Sequence, residues 1–191
     1  DNMNKNRILI NEIKNFEGIN PNILNVLLVL TGTLLLAISA KVQVPFWPVP
    51  MTMQTFVVFL IGTTYSVRLS FITLLVYLFE GAIGLPVFAA GGGLAYLTGP
   101  TAGYLYGMTT SVILISYLAN KGFSLTYFKT AISLLIGSAI IFSFGIIYLG
   151  SIIGYQKAIQ AGLLPFIPSE IFKIALAVAI IPSINTIIKS K

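Results

Sequence analysis

The chain has 191 residues, 57% of them hydrophobic and 8% charged, with no cysteine, no histidine and a formal net charge of +6. Soluble domains carry roughly 25% charged residues, so this composition cannot coat a globule in water, and it excludes disulfide, thiolate and imidazole chemistry. The positive balance is read as membrane topology, because no basic–aromatic surface pattern suited to nucleic acid accompanies it.

The first 22 residues, DNMNKNRILINEIKNFEGINPN, are polar and show neither the short apolar core nor the small-residue cleavage site of a secretory signal. They are read as a cytoplasmic N-terminal segment, with residues 23–191 as one membrane domain. A helix crossing the hydrocarbon needs about 20 mostly apolar residues. Six spans are predicted on that basis, at residues 23–40, 51–67, 69–85, 101–119, 131–153 and 170–188. With the N-terminus inside, the inner side holds Lys5, Arg7, Lys14, Arg68, Lys121, Lys129, Lys189 and Lys191, and the outer side only Lys41, Lys157 and Lys173. Eight cations against three place both termini in the cytoplasm.

The irregular connections then all fall outside. The first, KVQVPFWPVPMTMQTF (41–56), carries Pro45, Pro48 and Pro50, which cannot continue a helix. The second is FEGAIGLPVFAAGGGLAYLTGPTAG (79–103) and the third GYQKAIQAGLLPFIPSEIFK (154–173). Non-helical backbone near membrane depth needs protein to bury it or a cavity to line. The expected architecture is an all-α bundle of six transmembrane helices, its long outer loops capping an outward-facing pocket.

Two acids lie outside the polar N-terminal segment, Glu80 and Glu170. Glu170 and Lys173 stand three apart and share a helix face. One reading is structural: Pro168 starts the helix, Glu170 suits its positive end and Lys173 reaches the interface. The other is functional, since Lys173 near a helix start and Glu80 near a helix end both oppose the dipole and call for an opposite charge or a polar ligand. They could also pair with each other. Gln54, beside Thr52 and Thr55, fits an interhelical hydrogen bond as well as a ligand contact. Phe46 and Trp47 fit either interface aromatics or an apolar wall over a bound molecule. Gly91, Gly92 and Gly93 allow tight turns and close backbone approach, but no phosphate-binding glycine motif is present.

Three stretches, VPFWPVPMTMQTFVVFLIG (44–62), EGAIGLPVFAAGGGLAYLTGPTAGYLYG (80–107) and PFIPSEIFK (165–173), resemble the BioY family. Its members are the biotin-binding S components of energy-coupling factor (ECF) vitamin transporters, and the resemblance runs from the first span to the sixth. It implies a multi-pass cell-membrane protein, not an enzyme, that captures biotin from outside without a cofactor. It also implies membrane lipid around it and partnership with a transmembrane coupling protein and two cytoplasmic ATPase subunits. Many family members carry Pro-Gly-Asp-x-x-Lys at the start of the sixth helix, the acid and lysine contacting biotin. Here Lys173 matches directly, while Glu170 replaces the shorter acid and Ser169 the glycine. Small residues on the first span mediate coupling in such components; Thr33 and Ala37 are the nearest match.

The resemblance thus implies a substrate site of Glu170, Lys173, Phe46, Trp47, Gln54, Glu80, Val87, Phe88, Gly92 and Tyr96. Glu170 suits the ureido N–H groups, and Lys173 the ureido oxygen or the valerate carboxylate. Aromatic and aliphatic side chains suit the apolar remainder. The alternative function is an S component or transporter for a different vitamin or small molecule. A membrane enzyme would need a nucleophile–base pair or metal ligands without His or Cys, and a channel would need rings of repeated polar residues along its spans.

Overall fold

The computed structural model describes residues 20–189, with side chains through residue 184. Expectations for residues 1–19 and Lys191, including four of the inner cations, lie outside the described residues. Those residues form α1 (Pro21–Lys41), β1 (Gln43–Val44), β2 (Met51–Thr52), α2 (Gln54–Thr64), α3 (Val67–Ala82), α4 (Ala102–Asn120), α5 (Tyr127–Ile153), α6 (Tyr155–Gly162) and α7 (Ile167–Lys189), with short 3₁₀ turns between some of them. The all-α class holds.

Local sequence explains the boundaries. Asn20 caps α1, its side-chain oxygen accepting from the Asn22 N–H at 2.9 Å, and Pro21 fills the first turn, where no amide donor is needed. The three prolines lie in and beside the loop of a small hairpin pairing Gln43 with Thr52 and Val44 with Met51. Because β2 is extended, helix begins only at Gln54, whose N–H is accepted by the Thr52 hydroxyl at 3.2 Å. Ser66 leaves helical geometry and its hydroxyl accepts from the Leu69 N–H, starting α3.

The second predicted span, 51–67, therefore shortens to the eleven residues of α2, about 16 Å at 1.5 Å per residue. Among the described residues, four helical stretches are long and apolar enough to cross a membrane: Pro21–Lys41, Ala102–Asn120, Tyr127–Ile153 and the run Tyr155–Ile184. The third predicted outer loop is partly helical, since α6 occupies most of its first half and α7 starts at Ile167.

Helix α4 packs along α5 at close range. A Cβ on Gly107 would lie 2.8 Å from the Ile141 Cα and backbone oxygen, so glycine there lets the two backbones approach. Serines tie helices together: Ser111 donates to the Gly137 carbonyl at 3.0 Å and Ser116 to the Tyr65 carbonyl at 2.7 Å. Leu30, Leu34, Phe79, Phe128 and Ile147 are all exposed, a surface suited to lipid and not to water.

The irregular segments gather at one end. Lys41 Nζ donates to the Phe88 carbonyl at 2.6 Å, and Gln43 Nε2 to the Ala89 carbonyl at 3.2 Å. Phe46 meets Phe166 edge to face at 6.2 Å. Thus the hairpin touches both other connections.

Candidate functional site

Beneath that end lies a buried polar cluster. Glu170 and Lys173, one turn apart on α7, are 5% and 3% exposed, and Lys173 Nζ lies 2.7 Å from Glu170 Oε2. Lys173 also donates to the Thr55 hydroxyl at 2.7 Å and to the Thr52 carbonyl at 3.1 Å. The Thr55 hydroxyl donates in turn to Glu170 Oε2 at 3.0 Å, and Ser138 on α5 donates to Glu170 Oε1 at 2.6 Å.

The inventory is informative. An ammonium has three donors, and all three on Lys173 are engaged. A carboxylate accepts about four hydrogen bonds, and Glu170 receives three, two of them on Oε2. In this arrangement the capacity for a further donor lies on Glu170 Oε1. Full pairing is what allows two charges to sit inside an apolar bundle.

A second set of bonds runs from the same segment toward the 83–93 loop. Thr52 donates its hydroxyl to Gln54 Oε1 at 2.9 Å, and Gln54 Nε2 donates to the Tyr77 hydroxyl at 2.8 Å. Tyr77 donates to the Val87 carbonyl at 2.8 Å. Tyr77 also meets Phe88 edge to face at 5.4 Å, and Phe88 stacks on Tyr96 at 4.9 Å. The Phe88 ring packs where a Cβ on Gly81 would sit. The Tyr96 hydroxyl is shut from solvent and has no hydrogen-bond partner among the described residues.

The structure brings Glu170, Lys173, Gln54, Val87, Phe88 and Tyr96 into this linked arrangement. Trp47 stands apart at 80% exposure. With Phe46 it lines an open cleft of about 630 Å³ bounded by Ile152, Ile153, Lys157, Gln160 and Ala161, a volume in the usual range for small ligands. Gly92 is exposed and presses against the Leu85 carbonyl, leaving no room for a Cβ. Glu80 is half-buried, and its carboxylate has no hydrogen bond or ion pair among the described residues. Lys173 pairs with Glu170, so the alternative of a Glu80–Lys173 pair is not realised.

Thr55, Ser138, Tyr77 and Lys157 are absent from the site residues expected from sequence. Of these only Lys157, an outer-loop cation, carried a usable signal; the hydroxyls are ordinary residues of apolar helices. No group of His, Cys, Asp and Glu suited to a metal occurs among the described residues.

A family model described as the BioY family matches residues 11–190. The chain is 35% identical over 168 residues to a "Probable biotin transporter BioY" of Rickettsia prowazekii, covering 87% of this chain and 86% of that protein. It is 35% identical over 150 residues to the "Biotin transporter BioY" of Thermotoga maritima, covering 78% and 88%. The fold is similar to a crystal structure of the S-component for biotin from an ECF-type ABC transporter, with a TM-score of 0.75, 24% identity, and coverage of 88% of this chain and 95% of that one.

Proposed function

The chain belongs to the BioY family, and from that premise we propose that it captures biotin as the substrate-binding membrane component of an ECF-type transporter. It is a multi-pass membrane protein and not an enzyme. The observation that carries the site assignment is the Glu170–Lys173 pair, buried and held by hydroxyls from α2 and α5. Buried ions in a membrane protein mark ligand pathways by default.

In this reading a ureido N–H of biotin donates to Glu170 Oε1, and the Tyr96 ring, stacked on Phe88, adds to the apolar wall. Lys173 holds the carboxylate in place, and a ligand oxygen could replace one of its three present acceptors. Phe88 and Val87 offer apolar surface, with Phe46 and Trp47 at the mouth. Gln54 joins the cluster to Tyr77, Gly92 shapes the loop, and Glu80 stands at the end of α3 as a second acidic contact.

The finer topology is six spans with both termini in the cytoplasm of the cell membrane. Charge bias supports it, and so does the gathering of irregular loops at the end opposite Arg68, Lys121 and Lys129. In this reading α2 and α3 are the two short spans, α2 being completed by the hairpin. Partners in uptake are a coupling protein and two ATPase subunits, consistent with the lack of a phosphate-binding loop.

Calorimetric titration of the detergent-purified protein with biotin, riboflavin and thiamine tests the proposal. One-to-one binding of biotin alone, without ATP, is expected. Folded, biotin-free protein that prefers another vitamin would overturn the substrate.

A further inference from the structure

At the other end of the bundle, a cleft of about 650 Å³ opens between α1 and α3. Its lining is graded. Asn22, Asn25, Ser66 and Arg68 stand at the helix starts, and Val26, Val29, Leu30, Ile72 and Val76 continue the groove toward the helix middles. From Asn22 to Leu30 the groove follows α1 for about 12 Å, and from Arg68 to Val76 it follows α3 for a similar distance, at 1.5 Å per residue.

One charged group in it lacks a partner. Arg68, in the first turn of α3, has no ion pair or hydrogen bond among the described residues. A cation at the positive end of a helix is disfavoured unless an anion answers it. The groove therefore asks for an anion at the interface and an apolar chain running inward.

We propose that this cleft binds one anionic phospholipid, its phosphate on Arg68 and an acyl chain along Val26, Leu30, Ile72 and Val76. Guanidinium is the side chain best matched to phosphate geometry, and basic pockets between transmembrane helices on the cytoplasmic side suit such headgroups. The groove lies away from Glu170 and Lys173, so the proposal does not depend on the nature of the transported ligand.

Native mass spectrometry of the full chain in detergent, delipidated and then titrated with phosphatidylglycerol or phosphatidylcholine of equal chain length, provides the test. Wild-type protein is expected to retain one phosphatidylglycerol at least tenfold more strongly than phosphatidylcholine. Excess inorganic phosphate should not displace it. Arg68→Gln should remove most of the preference, and Val26→Trp, which fills the apolar half, should weaken both lipids. Circular dichroism and thermal unfolding of each variant check that it remains folded. Equal retention by wild type and Arg68→Gln would overturn the proposal and leave the groove to a protein helix. Displacement by inorganic phosphate would overturn it in favour of a simple anion site.

Discussion

Thr55 on α2 donates its hydroxyl to Glu170 on α7 at 3.0 Å, across 115 residues of sequence. The same oxygen accepts from Lys173 at 2.7 Å. One hydroxyl thus joins both charges to the helix that follows the proline hairpin, so the geometry of the ion pair depends on where α2 begins.

Thr55→Val keeps the shape and removes the hydroxyl. It takes a donor from Glu170 and an acceptor from Lys173, and a lost buried partner of a charged group costs about 1.5–3 kcal/mol. A lower thermal midpoint in detergent and biotin affinity reduced about tenfold are expected, with Thr55→Ser close to wild type. Unfolding followed with and without biotin reads both effects.

The ion pair should behave non-additively. Glu170→Gln or Lys173→Met alone leaves one buried charge without its opposite, at a cost of about 3–5 kcal/mol. The double substitution removes both charges and should be less destabilising than the sum of the singles. Additive losses in a thermal-unfolding cycle would contradict a tightly coupled pair.

Tyr77→Phe keeps the ring against Phe88 but removes the donor to the Val87 carbonyl and the acceptor of Gln54 Nε2. The 83–93 loop loses one tie to the bundle, worth about 0.5–1.5 kcal/mol. Proteolysis or hydrogen exchange should increase in that loop, while the helices remain protected.

Gly92→Ala should also act on the loop. The added Cβ would run into the Leu85 carbonyl oxygen, so the backbone must move. Weaker biotin binding with little change in helix content is expected, measured by titration and circular dichroism.

Much of this organisation is legible in the sequence. The three-residue spacing of Glu170 and Lys173 anticipated a shared helix face, and the prolines marked the break before α2. The partners of the pair were not legible. Thr55 and Ser138 lie 115 and 32 residues from Glu170, and a hydroxyl in an apolar helix gives no sign of which neighbour it will meet. The shortness of α2 was hidden because residues 51–67 read as one apolar run, while extended β2 and the Ser66 cap cut it at both ends. Trp47 shows a further limit: its sequence context leaves interface aromatic and pocket wall equally open, and the exposed side chain borders an open cleft with Phe46.

The most direct test is a biotin titration of wild-type, Glu170→Ala and Lys173→Ala proteins side by side, each shown to be folded. Affinity weakened tenfold or more in both variants is expected, because each substitution dismantles the cluster that presents Glu170 Oε1. Tight binding by wild type with unchanged affinity in both variants would contradict this account and place the biotin site elsewhere in the bundle.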